Sequence, residues 1–301
     1  MTTSARPLPA ASRSRRVSPA SSPDGSALSP DGSALSPDGP ERPLRGGLAA
    51  FWALAFGLSW ASWGAAWLLG GDLVDPVVLA LFALGGFGPT LAALVLRAAG
   101  RRSPRAARWG AAGRWLPAAV GIGAAPAVLT ALVVPFLGGP TADLSAGAAA
   151  VAGSGGPLLF ALVSLCAGPL SEEFGWRGYA QPRLRRRLSP LATSVVLGAV
   201  WAVWHLPLFA LTGTWQSSLG LVSVEAALFL LAMIPLSSAY WLVSERLRGG
   251  VPAAVVLHLV GNVALTVLAV TSPVAMAVYV GVIVLTSVLI HLVTRPGAPR
   301  P

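Results

Sequence analysis

The sequence has 301 residues, of which 54% are hydrophobic and 11% are charged, and its mean hydropathy is +0.70. This composition is too apolar for an ordinary water-soluble domain and indicates an integral membrane protein. The formal net charge of +10 reflects 21 basic residues, all arginine. Because nearly all of them lie outside the apolar segments, they argue for membrane topology and against a nucleic-acid partner.

The first 46 residues are polar and repetitive. They contain the heptapeptide SPDGSAL twice, from Ser22 and from Ser29, followed by a truncated SPDG from Ser36. Repeats this short and polar cannot bury a core, so we predict a disordered cytoplasmic tail over 1–46. The tail is too long and too polar for a signal peptide, and the first apolar segment is therefore expected to be retained as a membrane span.

Apolar segments long enough to cross a bilayer follow the tail. Since a helix needs about 20 apolar residues to span the hydrocarbon core, the sequence predicts an all-α, polytopic membrane domain over 47–294 with about eight transmembrane helices. A short cytoplasmic tail is expected over 295–301. The predicted spans are 48–70, 74–96, 115–138, 157–181, 191–211, 219–243, 251–271 and 273–293.

The arginines test this number of spans independently. Short cytoplasmic loops collect basic residues, whereas outer loops do not. Arginines occupy both tails and the second, fourth and sixth predicted loops, and the alternate loops contain none. With both termini in the cytoplasm, every arginine except Arg177 lies on the cytoplasmic side, which favours an N-in and C-in topology.

A few ionisable residues remain inside the predicted spans, where a charge costs at least about 2.5–3.5 kcal/mol. On the fourth span, Glu173 and Arg177 are four residues apart on one helical face, so we predict an ion pair between them. Glu172 is rotated by about 100° from Glu173 and faces a different wall, where a carboxylate can act as a general base. The alternative is that all three side chains extend to the cytoplasmic interface.

Two later spans each carry a histidine with a partner one turn away. Trp201 and His205 lie on the fifth span, and His258 and Asn262 lie on the seventh. An imidazole and a carboxamide on one face offer two donors suited to a developing oxyanion, although such groups also commonly bond neighbouring membrane helices. Together, Glu172, His205 and His258 can activate a water directly or bind a divalent metal, such as zinc, that does so.

Three motifs carry a family resemblance. EEFGWR from Glu172, WAVWH from Trp201 and HLVGN from His258 are similar, in order and spacing, to those of the CPBP intramembrane proteases, also called the CAAX protease and bacteriocin-processing or Abi family. The resemblance covers about 158–268, within a motif core of 157–271. One departure is Trp201, where the family usually has phenylalanine; because both are aromatic, we expect little consequence.

The resemblance implies an intramembrane endopeptidase that hydrolyses a peptide bond of a membrane-associated peptide or protein. It assigns water activation to Glu172 and His205, and stabilisation of the oxyanion to His258 and Asn262. Whether Glu172, His205 and His258 hold a metal or a metal-free, glutamate-dependent mechanism operates stays open. The matched positions with a supporting role are Glu173, Arg177 and Trp201.

A different class of function is also compatible with the resemblance: a catalytically silent bacteriocin-immunity or membrane scaffold protein of the same fold. Intact motifs favour the enzyme, because a pure binder has no need of all the polar positions. A proton-coupled transporter is disfavoured, since no inverted repeat is visible. The arginine-only, alanine- and glycine-rich composition is typical of a GC-rich bacterium, so we expect a bacterial cell membrane, contact with its lipid and an unprenylated substrate.

Three further residues in the spans match no motif. Cys166 has no second cysteine to pair with and is expected to pack in the core. Glu225 is expected about two turns inside the sixth span, where an acid is a candidate for lining the substrate path. His291 is expected at the cytoplasmic interface.

Overall fold

The computed structural model describes residues 45–101, 112–268 and 272–294. Within these ranges the secondary structure is helical, apart from one isolated bridge between Asp72 and Thr212. The first helix begins at Arg45 and so includes the last two residues of the predicted tail. The rest of that tail, the C-terminal tail over 295–301 and the arginine-rich loop residues 102–111 lie outside the described residues.

The α-helices of the described ranges are α1 (Arg45–Leu68), α2 (Pro76–Gly86), α3 (Gly88–Ala98), α4 (Ala112–Val133), α5 (Leu144–Gly153), α6 (Pro157–Leu165), α7 (Ser171–Gly175), α8 (Gln181–Leu184), α9 (Pro190–Trp204), α10 (Trp215–Leu219), α11 (Val224–Trp241), α12 (Gly250–Val267) and α13 (Pro273–Val293). Some of these helices are joined or extended by short 3-10 or π-helical turns. The 3-10 turns are Val134–Leu137 and Leu206–Ala210, and the π-helical turns are Cys166–Leu170, Trp176–Ala180 and Leu242–Arg246.

Seven of the predicted spans are helical segments long and apolar enough to cross a bilayer. They are Gly47–Leu68, Gly113–Leu137, Pro157–Leu184, Pro190–Ala210, Val224–Arg246, Gly250–Val267 and Pro273–Val293. The remaining span, predicted over 74–96, consists of α2 and α3, which meet at a bend of 53°. With this pair counted as one span the described ranges contain eight, and the predicted fold class is confirmed.

The bend between α2 and α3 is held by side chains of α1. Cβ atoms at Gly85 and Gly88 would collide with Trp63 and Ser59, so glycine at these positions allows α1 to pack closely. The Ser59 hydroxyl donates to the carbonyl of Gly85 at 2.7 Å, and the Trp63 indole donates to the carbonyl of Phe82 at 3.0 Å. Carbonyls near the break thus have partners inside the protein, as a bilayer requires.

Large apolar side chains cover the outward faces of the spans. Leu68, Leu132 and Leu285 are each more than half exposed, an arrangement that is stable where lipid replaces water. The interior instead holds an aromatic core, which includes Phe51, Trp63, Trp176, Tyr179, Trp201, Trp204 and Tyr240. The protein is therefore an integral, multi-pass membrane protein.

Two connections differ from the sequence-based expectation. The segment 139–156, predicted as an outer loop, contains α5, whose first turn is capped by Asp143 accepting from the N–H groups of Ser145 and Ala146 at 2.9 and 3.1 Å. The sixth span begins at Val224 and not near 219. Glu225 therefore lies in the first turn of α11, where a negative charge is favoured by the helix dipole, and the prediction that it lies two turns inside is wrong.

Candidate active site

The fourth span, Pro157–Leu184, is broken near its middle. Gly168 has a φ of 117°, which ends regular helical geometry between α6 and α7. The Ser171 hydroxyl accepts from the N–H of Gly168 at 3.0 Å and lies 3.2 Å from its carbonyl, to which it donates. Thr90 of α3 donates to the carbonyl of Leu170 at 3.0 Å. Side chains therefore satisfy backbone groups that the break would otherwise leave unpaired in the membrane.

The predicted ion pair is present and fully enclosed. Glu173 Oε1 lies 3.2 Å from Arg177 Nη1, and neither side chain has exposed surface. Glu172 is also buried, with 5% of its surface exposed. The alternative in which these three charges extend to the cytoplasmic interface is therefore wrong. A buried pair of this kind needs further partners to offset the desolvation of its charges.

Those partners come from three other spans. His258 of α12 lies with Nδ1 2.8 Å from Glu173 Oε1. Since a carboxylate paired with an arginine can only accept, His258 is the donor and carries a proton on Nδ1. The Arg177 guanidinium carbon lies 3.7 Å from the ring centroid of Tyr240 and 4.6 Å from that of Trp201. These cation–π contacts and the hydrogen bond link the fourth span to α9, α11 and α12.

Glu172 is held by two indoles. Its Oε2 accepts from Trp201 Nε1 at 2.6 Å and from Trp176 Nε1 at 3.1 Å. Trp176 lies one helical turn after Glu172, whereas Trp201 belongs to α9. Phenylalanine has no donor for this bond, so Trp201 makes a contact here that phenylalanine could not make.

His205 lies just beyond the C-terminus of α9 within a cage of aromatic rings. Its Nδ1 lies 2.8 Å from the carbonyl of Trp201. Because a carbonyl can only accept, Nδ1 carries the proton and Nε2 is unprotonated in the neutral ring. Ring centroids of Trp201, Trp204 and Phe229 lie 5.6, 4.9 and 5.4 Å from that of the imidazole. The orientation of His205 is thus fixed by one hydrogen bond and three edge contacts.

The break at Gly168 lies directly against the seventh span. A Cβ atom built on Gly168 would be 3.0 Å from His258 Nε2 and 3.3 Å from Asn262 Nδ2. His258 is buried, and Asn262 is half-buried one turn further along α12. The positive φ and the close approach both require glycine here.

The three residues predicted to act together each contact the side chain of Trp201. The centroids of His205 and His258 lie 5.6 and 5.8 Å from the Trp201 ring, and its indole nitrogen is bonded to Glu172. Glu172, His205 and His258 are 5%, 6% and 7% exposed. One carboxylate and two imidazoles from three spans are therefore buried around one tryptophan.

The predicted metal ligands do not form a metal site in this arrangement. Among the residues that the structure describes, no group of three or more His, Cys, Asp and Glu side chains is placed to hold a metal ion. Glu172 Oε2 is occupied by two indole donors, and His258 Nδ1 is occupied by Glu173. We therefore derive no chemical step through a metal.

Sequence reasoning missed two aromatic residues that shape the site. Trp176, which donates to Glu172, is visible in retrospect because it lies four residues after the glutamate on the same helical face. Tyr240 lies in none of the motifs, and no spacing signal links it to Arg177. Its ring nevertheless contacts that guanidinium, and its centroid lies 5.5 Å from that of Trp201.

Two residues outside the motifs are placed differently from expectation. Cys166, expected in the core, is exposed at the start of the π-helical turn that precedes Gly168. His291 does not simply lie at the interface: its Nε2 is 3.0 Å from Ser238 Oγ, and its ring stacks on Trp241 at a centroid distance of 5.8 Å. His291 thus joins α13 to α11.

Comparisons with known proteins match the part of the chain that contains the site. Residues 154–264 match the family model described as Type II CAAX prenyl endopeptidase Rce1-like. A relative from Methanococcus maripaludis, named CAAX prenyl protease 2, is 30% identical over 116 residues. That alignment covers 38% of this chain and 42% of the relative, so the chain matches less than half of the relative's length.

The matched segment includes the broken fourth span, α9, α11 and most of α12, and with them all three motifs. Through its segment 154–264, the chain is therefore similar to the Rce1-like CAAX prenyl endopeptidases of the CPBP family.

Proposed function

We propose that the protein is an intramembrane endopeptidase that hydrolyses a peptide bond of a membrane-associated peptide or protein. The observation that carries the proposal is the meeting of Glu172, His205 and His258 around the Trp201 ring, in a buried site formed by three membrane spans. The similarity of residues 154–264 to the Rce1-like endopeptidases supports the same reaction class. Peptide hydrolysis at such a site needs a group that activates water and donors that stabilise the oxyanion.

Glu172 and His205 are the proposed water-activating pair. The carboxylate accepts one proton of the water, whose oxygen attacks the carbonyl carbon of the substrate. The unprotonated Nε2 of His205 accepts a hydrogen bond from the other O–H and orients the water. The proton held by Glu172 then passes to the amine that leaves, which restores the carboxylate.

His258 and Asn262 are the proposed oxyanion donors. Neutral His258, which donates Nδ1–H to Glu173, has no proton on Nε2. The oxyanion role therefore uses the imidazolium form, whose Nε2–H is the donor and whose charge faces the Glu173 carboxylate. Asn262 Nδ2 is a donor whatever the protonation state of His258, and it lies beside the same backbone break.

The proposed substrate reaches the site from within the membrane. Cys166 and Ala167, which immediately precede the break that lies against His258, are exposed on the surface of the fourth span. The name of the Methanococcus maripaludis relative specifies a prenylated CAAX substrate for that protein. For this chain we propose an unprenylated membrane peptide, on the bacterial character of its composition.

Cleavage by the purified protein in liposomes tests the proposal. We expect a fluorogenic peptide library to be cleaved by the wild type, and Glu172→Gln to lower kcat/KM by about 10²- to 10⁴-fold because a general base is lost. His258→Gln should lower it as well, through the oxyanion. Glu245→Gln and His291→Gln, matched changes outside the site, should leave it unchanged.

Some outcomes of the same experiment would contradict the proposal. Equal product from the wild type, Glu172→Gln and His258→Gln would mean that the site does not hydrolyse peptides, and would favour the silent immunity or scaffold protein. Adding a chelator distinguishes a metal-free mechanism from a metal-dependent one. Retained activity supports direct activation of water by Glu172, whereas a loss of activity that zinc restores supports a metal-dependent mechanism instead.

A further inference from the structure

One oxygen of the Glu172 carboxylate accepts two hydrogen bonds, and the other accepts none from the described residues. Glu172 Oε2 receives the indole N–H groups of Trp201 and Trp176 at 2.6 and 3.1 Å. Among the described residues, no group donates a hydrogen bond to the second oxygen, Oε1. Both tryptophans are buried, at 2% and 0% exposure. The two oxygens of Glu172 are therefore chemically distinct.

Two donors on one oxygen restrict how the carboxylate can turn. The terminal torsion of a glutamate is broad, so a free carboxylate samples many orientations. An indole N–H can only donate a hydrogen bond, so each of the two indoles needs an acceptor. The two indoles therefore hold Oε2 against the protein and leave Oε1 as the oxygen without a donor among the described residues.

The two tryptophans do not contribute equally to this orientation. Trp176 is one turn from Glu172 on the same span and moves with it. Trp201 lies on α9, and its own carbonyl accepts the Nδ1–H of His205 at 2.8 Å. A single residue of α9 is thus bonded through its side chain to Glu172 and through its backbone to His205.

We propose that Trp201 is a positioning residue, which fixes the Glu172 carboxylate relative to His205 with Oε1 turned toward the water. The role rests on the proposed hydrolysis and is specific to a tryptophan, because phenylalanine supplies the ring without the donor. The ring itself is held from other sides, by the Arg177 guanidinium at 4.6 Å and by Tyr240 at a centroid distance of 5.5 Å.

Kinetics of three Trp→Phe variants test the role. Trp201→Phe should lower kcat by about 10- to 100-fold, the range expected when a hydrogen bond to a charged group is lost, with KM within about twofold of wild type. Trp176→Phe should have a smaller effect on kcat. The matched control is Trp241→Phe, whose buried indole N–H has no hydrogen-bond partner among the described residues and whose ring stacks on His291, and it should keep the wild-type kcat.

A second measurement observes the bonds without catalysis. In protein labelled with ¹⁵N at the indoles and held in micelles, Glu172→Leu removes the acceptor while both tryptophans remain. We expect two of the eleven indole N–H signals, those of Trp176 and Trp201, to move upfield and the others to stay. This comparison does not depend on whether Trp201→Phe folds.

Each result decides the role. Wild-type cleavage with an unchanged kcat in Trp201→Phe would overturn positioning and leave the proposed protease intact. Indole signals that do not respond to Glu172→Leu would overturn the hydrogen bonds on which the role depends. If the wild type cleaves nothing, the proposed function fails, and with it the catalytic role of Trp201.

Discussion

The fourth and eighth spans meet the same requirement of the bilayer in opposite ways. Pro273–Val293 is one regular helix of 21 residues with a mean hydropathy of 2.4, and no Asp, Glu or Arg lies within it. Pro157–Leu184 has 28 residues and a mean hydropathy of 1.3, contains a break and a further π-helical turn, and encloses Glu172, Glu173 and Arg177. Length and hydropathy are sufficient to explain why the eighth span is stable in a bilayer, but they are insufficient for the fourth span.

The difference teaches where the fourth span obtains its stability. Its two glutamates and its interrupted backbone each bond another span: Thr90 of α3 bonds the break, Trp201 of α9 bonds Glu172, and His258 of α12 bonds Glu173. The eighth span bonds its own backbone and uses few polar contacts. The fourth span is therefore stable only inside the assembled fold, whereas the eighth needs little beyond lipid.

The largest expected effect on stability comes from removing the buried cation of the fourth span. Arg177→Leu leaves Glu173 enclosed without its ion-pair partner, and we expect the free energy of unfolding to fall by about 3–5 kcal/mol. Arg177→Lys keeps a charge and should lose less. Reversible unfolding in mixed micelles measures both. A loss below about 1 kcal/mol for Arg177→Leu would mean that the charges do not depend on each other, and would remove the contrast with the eighth span.

Two glycine-to-alanine variants, one in the fourth span and one in the eighth, should change stability in opposite directions. Gly168→Ala places a Cβ 3.0 Å from His258 Nε2 at a φ of 117°, and should destabilise by about 1–3 kcal/mol and reduce cleavage. Gly281→Ala lies in α13 with no atom within 4 Å of the new Cβ, and should stabilise by about 0.5–1 kcal/mol through helix propensity. The same unfolding assay compares them. Equal signs would contradict the view that the fourth span, unlike the eighth, uses glycine for its shape.

The smallest effect is expected for a polar contact of the eighth span. Ser287 donates to Ser238 of α11 at 2.9 Å, and Ser287→Ala should cost about 0.6 kcal/mol, the average for hydrogen bonds between membrane helices. Cleavage activity should not change. A loss comparable with that of Arg177→Leu would show that the eighth span also depends on buried polar contacts.

Local spacing predicted what lies within one helix. The Glu173–Arg177 pair follows from a separation of four residues, and the eight spans follow from hydropathy and arginine position. The break at Gly168 had a signal in the Gly-Pro pair that follows Ala167, which is a frequent end of regular structure. The bend between α2 and α3 likewise coincides with glycines and Pro89.

Contacts between distant helices were beyond the sequence. The bond from Trp201 to Glu172 joins residues 29 apart, and that from His258 to Glu173 joins residues 85 apart. Which oxygen, ring face or backbone carbonyl a side chain reaches depends on how the spans pack, and one sequence carries no record of that packing. The pairing of His258 with Glu173, and not with Glu172, is of this kind.

The exposure of Cys166 gives the protein a convenient reporter. It is the single thiol in the chain and lies two residues before the glycine that touches His258 and Asn262. A maleimide fluorophore or nitroxide can be attached there without removing other cysteines, and it would lie beside the break in the fourth span. Such a label would follow the arrival of a peptide from the lipid phase in real time.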